Sequence, residues 1–171
     1  MTPLRALLAV LAVSAALVLQ VSVFPYVAWQ GVVPNLVLLV VVGAAVVRGA
    51  QFAMVLGFAA GVLLDLAPPA DHVAGRWALA FVVVGYVAGR VAQHGRPTAT
   101  TVLATVAASS FLGTSLFALS GLVLRDPPLT IPDLLQVVVV SVVWDVVLTP
   151  FVLPLVMAMF HRIEPERAAV Q

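Results

Sequence analysis

Cysteine is absent from the 171 residues, which excludes disulfides, thiolate metal sites and a cysteine nucleophile. Lysine is absent too, since all eight basic residues are arginine. Charge of either sign is scarce: 9% of the chain is charged and 63% hydrophobic, against about 25% and 45–50% in ordinary soluble domains. A soluble fold of this size has too little interior for so much apolar surface. No basic cluster suits nucleic acid, and no glycine-rich loop suits phosphate. His72, His94 and His161 stand far apart and form no metal-ligand set. The stretch "GTSL" at 113–116 lacks a histidine in any later apolar run to act as its base. No catalytic residue, cofactor site or metal site is therefore expected. The composition is that of an integral membrane protein forming one domain over residues 1–171.

What the chain does hold is long apolar runs. A membrane helix needs about 20 of them at 1.5 Å each. Six candidates stand at 4–24, 32–47, 50–67, 77–92, 98–124 and 134–160. The runs are continuous rather than alternating, which excludes a β-barrel. The first is too long for a cleaved signal core and reads as a retained helix. The expected fold is all-α and polytopic, with six transmembrane helices. Arginine placement orients it. Arg5, Arg48, Arg90, Arg96, Arg162 and Arg167 fall on one side; Arg76 and Arg125 fall on the other with Asp71, Asp126 and Asp133. The positive-inside rule puts the first set, and both termini, in the cytoplasm. Tyr26 and Trp29 read as interfacial anchors in the outer loop 25–31, with a second outer loop at 125–133 and an inner turn at 93–98.

Polar residues inside the runs are few enough to be weighed singly. Gly57, Gly61 and Asp65 recur every four residues, as do Phe81, Gly85 and Gly89, so each set forms one ridge on its helix. Small residues at that spacing let helices approach closely in lipid. The third and fourth runs are thus expected to pack as a hairpin, with a partner's groove as the alternative. Asp65 closes the third run, where the helix dipole disfavours an anion, so a pair with Arg76 across the turn is expected, with a solvated interfacial carboxylate as the alternative. Asp145 lies deep in the sixth run, where a charge costs about 2.5–3.5 kcal/mol on insertion scales. Ser141 and Thr149 flank it, and Ser109, Ser110 and Thr114 in the fifth run are candidate partners. An interhelical hydrogen bond, a contact with another subunit and a proton or substrate relay all fit that placement. Pro150 and Pro154 follow and remove helical hydrogen bonds.

Several stretches together resemble the MreD family of rod-shape-determining membrane proteins. They are "VPNLVLLVVVGAAVVRG" (33–49), "GFAAGVLLDL" (57–66), "GRWALAFVVVGYVAGR" (75–90) and "VVWDVVLTPFVLPLV" (142–156), in order and across nearly the whole chain. The resemblance implies a non-enzymatic scaffold in the bacterial cytoplasmic membrane. It implies binding to an MreC-like bitopic protein and regulation of a RodA-type polymerase with its class B penicillin-binding protein, hence of peptidoglycan synthesis and cell shape. It also implies a fold similar to the substrate-binding subunits of energy-coupling-factor vitamin transporters. The family's characteristic positions fall here on Pro34, Asn35, Gly57, Gly61, Asp65, Gly85, Tyr86, Gly89 and Pro150. Asp145 departs from the neutral polar residue, such as Asn, expected there. The rival reading is a vitamin-type transporter subunit, with Trp77 and Trp144 placed to stack on a flat ligand. A proton-coupled channel using Asp145 is a third.

Overall fold

The computed structural model describes residues 3–68, 72–93, 98–124 and 130–162, with side chains from Leu7 onward. It is all-α among these residues: α1 (Pro3–Ser22), a 3₁₀ turn (Phe24–Val27), α2 (Leu36–Arg48), α3 (Ala50–Asp65), α4 (Arg76–Ala92), α5 (Ala99–Leu124) and α6 (Ile131–Arg162). Arg96, Arg125, Arg167, Asp71 and Asp126, which share in the orientation argument, lie outside the described residues, as do 94–97 of the inner turn and 125–129 of the outer loop.

The expectation of six transmembrane helices is overturned by the helix lengths. Among the described residues only α5, with 26 residues, and α6, with 32, are long and apolar enough to cross a bilayer. The stretch Leu7–Ser22 of α1, where side chains are described, is apolar but only 10–17 residues long, as are α2 and α3. α4 has 17 residues and carries Arg76 and Arg90. The apolar run 32–47 overstates its helix for a local reason. Pro34 and the residues before it are extended or turned, and helical geometry begins only at Leu36. At 1.5 Å per residue, the 13 residues of α2 reach about 20 Å, well short of the roughly 30 Å of a hydrocarbon core.

That short helix is the centre of the molecule. Every residue from Leu36 to Ala45 is buried, as expected of a helix that is hydrophobic all round. α2 touches all five other helices, which close around it in the order α3, α4, α5, α6, α1. The chain reaches the centre through a tight reversal. Gln30 and Gly31 both have positive φ, 52° and 78°, and Trp29 and Val32 exchange backbone hydrogen bonds of 3.1 and 2.9 Å across them. Two central residues with positive φ are what a close two-residue turn requires. Tyr26 and Trp29 sit exposed at this reversal, and the chain then turns inward at the buried Pro34.

The tightest seam in the ring joins α3 to α4. A methyl group on Gly57 would stand 2.5 Å from the Phe81 carbonyl oxygen, and one on Gly85 would stand 2.7 Å from the Ala53 backbone. Gly61 meets the backbone of Ala78, and Gly89 that of Ala50, as closely. All four glycines face main chain, which cannot rotate aside as a side chain can. Gly43 differs, because it faces the side chains of Val156 and Leu153. Gly61→Ala is therefore expected to destabilise the detergent-solubilised protein by about 1–3 kcal/mol in denaturant unfolding. Ala59→Val, on the exposed side of the same helix, should stay within about 0.5 kcal/mol.

Candidate functional site

A helix leaves its first N–H groups without intrahelical partners. In α2 those groups lie inside the protein, at the level of the middle of α5 and α6. Side chains satisfy three of them. Asn35 caps its own helix, with Oδ1 accepting from the Leu38 N–H at 3.0 Å. Gln20 of α1 accepts from the Val37 N–H through Oε1 at 3.2 Å. Asp145 of α6 accepts from the Asn35 N–H through Oδ1 at 2.7 Å. Its other oxygen accepts from the Ser110 hydroxyl at 2.6 Å, tying in α5. The Thr149 hydroxyl donates back to the Asp145 carbonyl at 2.7 Å. Asp145 is fully buried, and the positive end of the α2 dipole favours an acidic group there.

Asp145 thus joins α2, α5 and α6 at one point. Of its expected neighbours, Ser110 bonds its carboxylate and Thr149 its backbone, whereas the buried Ser109 hydroxyl finds no partner. The Asn35 peptide group was not among the expected partners. Gln20 was also missed, because one glutamine near the end of an apolar run carries no pattern.

A second carboxylate repeats the arrangement at another helix start. Asp65 ends α3 and is 2% exposed. Its Oδ2 accepts from the Gly75 N–H at 2.8 Å and the Ala78 N–H at 3.2 Å, and its Oδ1 from the Trp77 N–H at 3.0 Å. Gly75 is the N-cap of α4, has no side chain to cap with, and holds φ at 102°. Asp65 therefore supplies from outside the cap that α4 lacks. Its position at the end of α3, unfavourable for that helix's dipole, is favourable for the next one.

The expected Asp65–Arg76 pair is replaced. Among the described residues the ring that meets Asp65 is His72, Nε2 to Oδ1 at 3.1 Å, a hydrogen bond that is an ion pair only when the imidazole is protonated. Arg76 turns to α5 instead, donating from Nε to the Ser120 hydroxyl at 3.0 Å and from a terminal nitrogen to the Phe117 carbonyl at 2.7 Å. Its guanidinium lies 3.9 Å from the centre of the Phe117 ring, where the ring's quadrupole attracts a cation. Trp77 stacks on that same ring, with centroids 4.4 Å apart. Trp77 is thus already paired with a ring of its own chain, and the indole N–H of Trp144 is buried without an acceptor.

The residues singled out in the sequence fall into groups. Pro34, Asn35 and Asp145 meet at the start of α2. Gly57, Gly61, Gly85 and Gly89 share the α3–α4 seam, which Asp65 closes at one end. Tyr86 stands apart on an exposed face, with Arg90 5.9 Å from its ring. Pro150 lines a groove between α5 and α6. Among the described residues there is no group of three His, Asp or Glu suited to a metal ion. The two carboxylates organise helices and are closed off by their bonds.

A family model described as rod shape-determining protein MreD matches residues 2–163. No curated protein and no solved structure matches the chain. The likeness to transporter substrate-binding subunits, which the family resemblance implied as a six-span fold, is not supported, since only two helices among the described residues are long and apolar enough to cross. With the family match and the two long helices, the molecule is a membrane-associated helical protein.

Asp145→Ala should cost about 1–3 kcal/mol for the stranded Asn35 N–H alone. Asp145→Asn should lose less, because its carbonyl oxygen still accepts and the Ser110 hydroxyl can turn to accept in its place. Denaturant unfolding of the two variants side by side measures the difference.

Proposed function

This chain belongs to the MreD family, and we propose that it serves as a membrane scaffold of the cell-wall elongation machinery, binding an MreC-like bitopic membrane protein. Through that partner it regulates a RodA-type polymerase with its class B penicillin-binding protein, and so peptidoglycan synthesis and cell shape. The family is non-catalytic. The observation that carries the reading is the match over residues 2–163, which takes in both carboxylate nodes and the whole helical ring.

The geometry supports it in one further respect. The buried carboxylates are consumed in fixing helix starts, so the outward faces are left apolar. On α6, Leu135, Val139, Val143, Val147, Phe151 and Leu155 form an exposed ridge at four-residue spacing, which winds slowly round the helix. A rigid body with apolar flanks suits association with lipid and with transmembrane segments through packing. We place it in the bacterial cytoplasmic membrane as a multi-pass protein with both termini inside. In support, the ends of α2, α4 and α6 carry Arg48, Arg90 and Arg162.

Two measurements test this. Co-expressed with the MreC-like protein of the same cell, the tagged chain should retain that partner through detergent purification. Separate elution of two folded proteins contradicts the scaffold reading. For orientation, Ile131→Cys in this cysteine-free chain should label from outside the cell and Thr98→Cys only from inside; the reverse pattern overturns the placement.

A further inference from the structure

The start of α3 differs from the starts of α2 and α4. Like α4 it begins at a glycine with positive φ, Gly49 at 82°, and no side chain caps it. No carboxylate of the described residues reaches it from elsewhere. Asp145 is bonded at Asn35, thirteen residues and about 20 Å back along α2. Asp65 lies at the far end of α3, about 22 Å away. Asp133 stands before Asp145 on α6, farther again, since α6 runs alongside α2 from Asp145 at Asn35 to Val156 at Gly43. We propose that this corner between α2 and α3 binds a phosphate group, supplied by a lipid headgroup or as free phosphate. The binding is independent of the elongation role.

Donors from three elements converge there. Arg48 ends α2, and Gly49 alone separates it from α3. Its guanidinium lies 5.1 Å from the centre of the Phe52 ring, in the first turn of α3. A helical side chain leans back toward its own N-terminus, so the ring holds the guanidinium against the helix start. Buried Phe160 of α6 meets that ring edge-on, with centroids 5.8 Å apart. The ring face attracts the charge but gives its N–H groups no oxygen. Arg48 Nη1 is buried and finds no hydrogen-bond acceptor among the described residues. Arg76 is the contrast, since its guanidinium bonds Ser120 and the Phe117 carbonyl. Gln93, at the end of α4, brings a side-chain amide to the same place. A methyl group on Gly49 would stand 3.8 Å from its Nε2. The uncapped first N–H groups of α3 complete the set.

A buried charged donor left unmatched is costly, so the corner favours an oxygen that bears negative charge. Arg48 offsets the negative end of α2 that meets the same corner, and the positive end of α3 adds to it. A guanidinium, an amide and a helix start suit the several oxygens of a phosphate better than the two of a carboxylate. The corner also lies at the end of the molecule where Arg48, Arg90 and Arg162 close their helices. The positive-inside rule sets that end among cytoplasmic headgroups. Within the chain, the carboxylates of Glu164 and Glu166, outside the described residues, are the competing acceptors.

The test is native mass spectrometry of the full chain in detergent, offered phosphatidylglycerol or diacylglycerol with identical acyl chains, together with denaturant unfolding in phosphate-free buffer. Phosphatidylglycerol should be retained, and diacylglycerol, which lacks the phosphate, should not. Arg48→Gln should cut that retention about fivefold, the worth of one arginine at an anionic surface. Gln93→Ala, at an exposed position, should cut it about threefold, and serves if Arg48→Gln fails to fold. Arg162→Gln removes the same charge from the same end, roughly 200° round α6 from Phe160, and should leave retention nearly unchanged. Stabilisation by inorganic phosphate that matches the lipid's and is lost in Arg48→Gln makes free phosphate the occupant; stabilisation by the lipid alone makes it the headgroup. Equal retention of the two lipids with no effect of inorganic phosphate overturns the proposal. So does an equal loss in Arg48→Gln and Arg162→Gln, the mark of diffuse charge. Acetate that stabilises as well as phosphate would assign the corner to a partner's carboxylate and also overturns it. So would a destabilisation by Glu164→Gln with Glu166→Gln that vanishes in an Arg48→Gln background, which gives the corner to the chain's own tail.

Discussion

A peptide N–H removed from water needs an acceptor, and the short central helix begins where no water is available to provide one. The arrangement of the rest follows from meeting that need. Asn35 satisfies one donor within the helix, but the others require oxygen from outside, and Gln20 and Asp145 bring it from α1 and α6. Because Asp145 also holds Ser110, a single carboxylate fixes α2, α5 and α6 relative to one another. Hydrocarbon packing alone would set these helices side by side with little preference for depth. A directional bond of 2.7 Å to a helix start sets the depth.

The same solution is used at the edge of the ring. Asp65 belongs by sequence to α3 and by function to α4, whose glycine cap has no side chain to accept with. The bond works together with the glycines on the seam. Gly57, Gly61, Gly85 and Gly89 let the two backbones touch, and Asp65 fixes how far one slides along the other. Arg76 and Phe117 extend this corner to α5. Among the described residues the buried polar groups are thus spent inwardly, and the exposed faces are largely apolar. That distribution suits a body that holds neighbouring chains in place.

Much of this was legible in the sequence, and the failures have physical causes. Composition and continuous apolar runs indicated helices, and the four-residue glycine spacing pointed to the face on which α3 meets α4. Asp145 announced itself by the cost of its position. Its peptide partner did not, because backbone donors leave no mark in a sequence. The Asp65–Arg76 expectation weighed the charges and overlooked the main chain. The missing cap residue before α4, where Gly75 stands in place of Ser, Thr, Asp or Asn, was the available signal. The number of crossing helices was overestimated because hydropathy counts apolar residues whether or not they are helical. Val32, Val33 and Pro34 are apolar, yet they belong to the turn that carries the chain inward. A helix buried among other helices is as apolar as one facing lipid, so composition does not separate α2 from α6.

The claim on which the account stands is that the start of α2 is sealed inside the protein by side chains from other helices. Amide hydrogen exchange of the folded protein in detergent measures this directly. The Asn35 and Val37 amides, which have no intrahelical partner, should exchange as slowly as those of Leu39 to Val42 in the body of the helix. Exchange at the rate of the exposed turn at Gln30 and Gly31 would show an open helix start, and would contradict it.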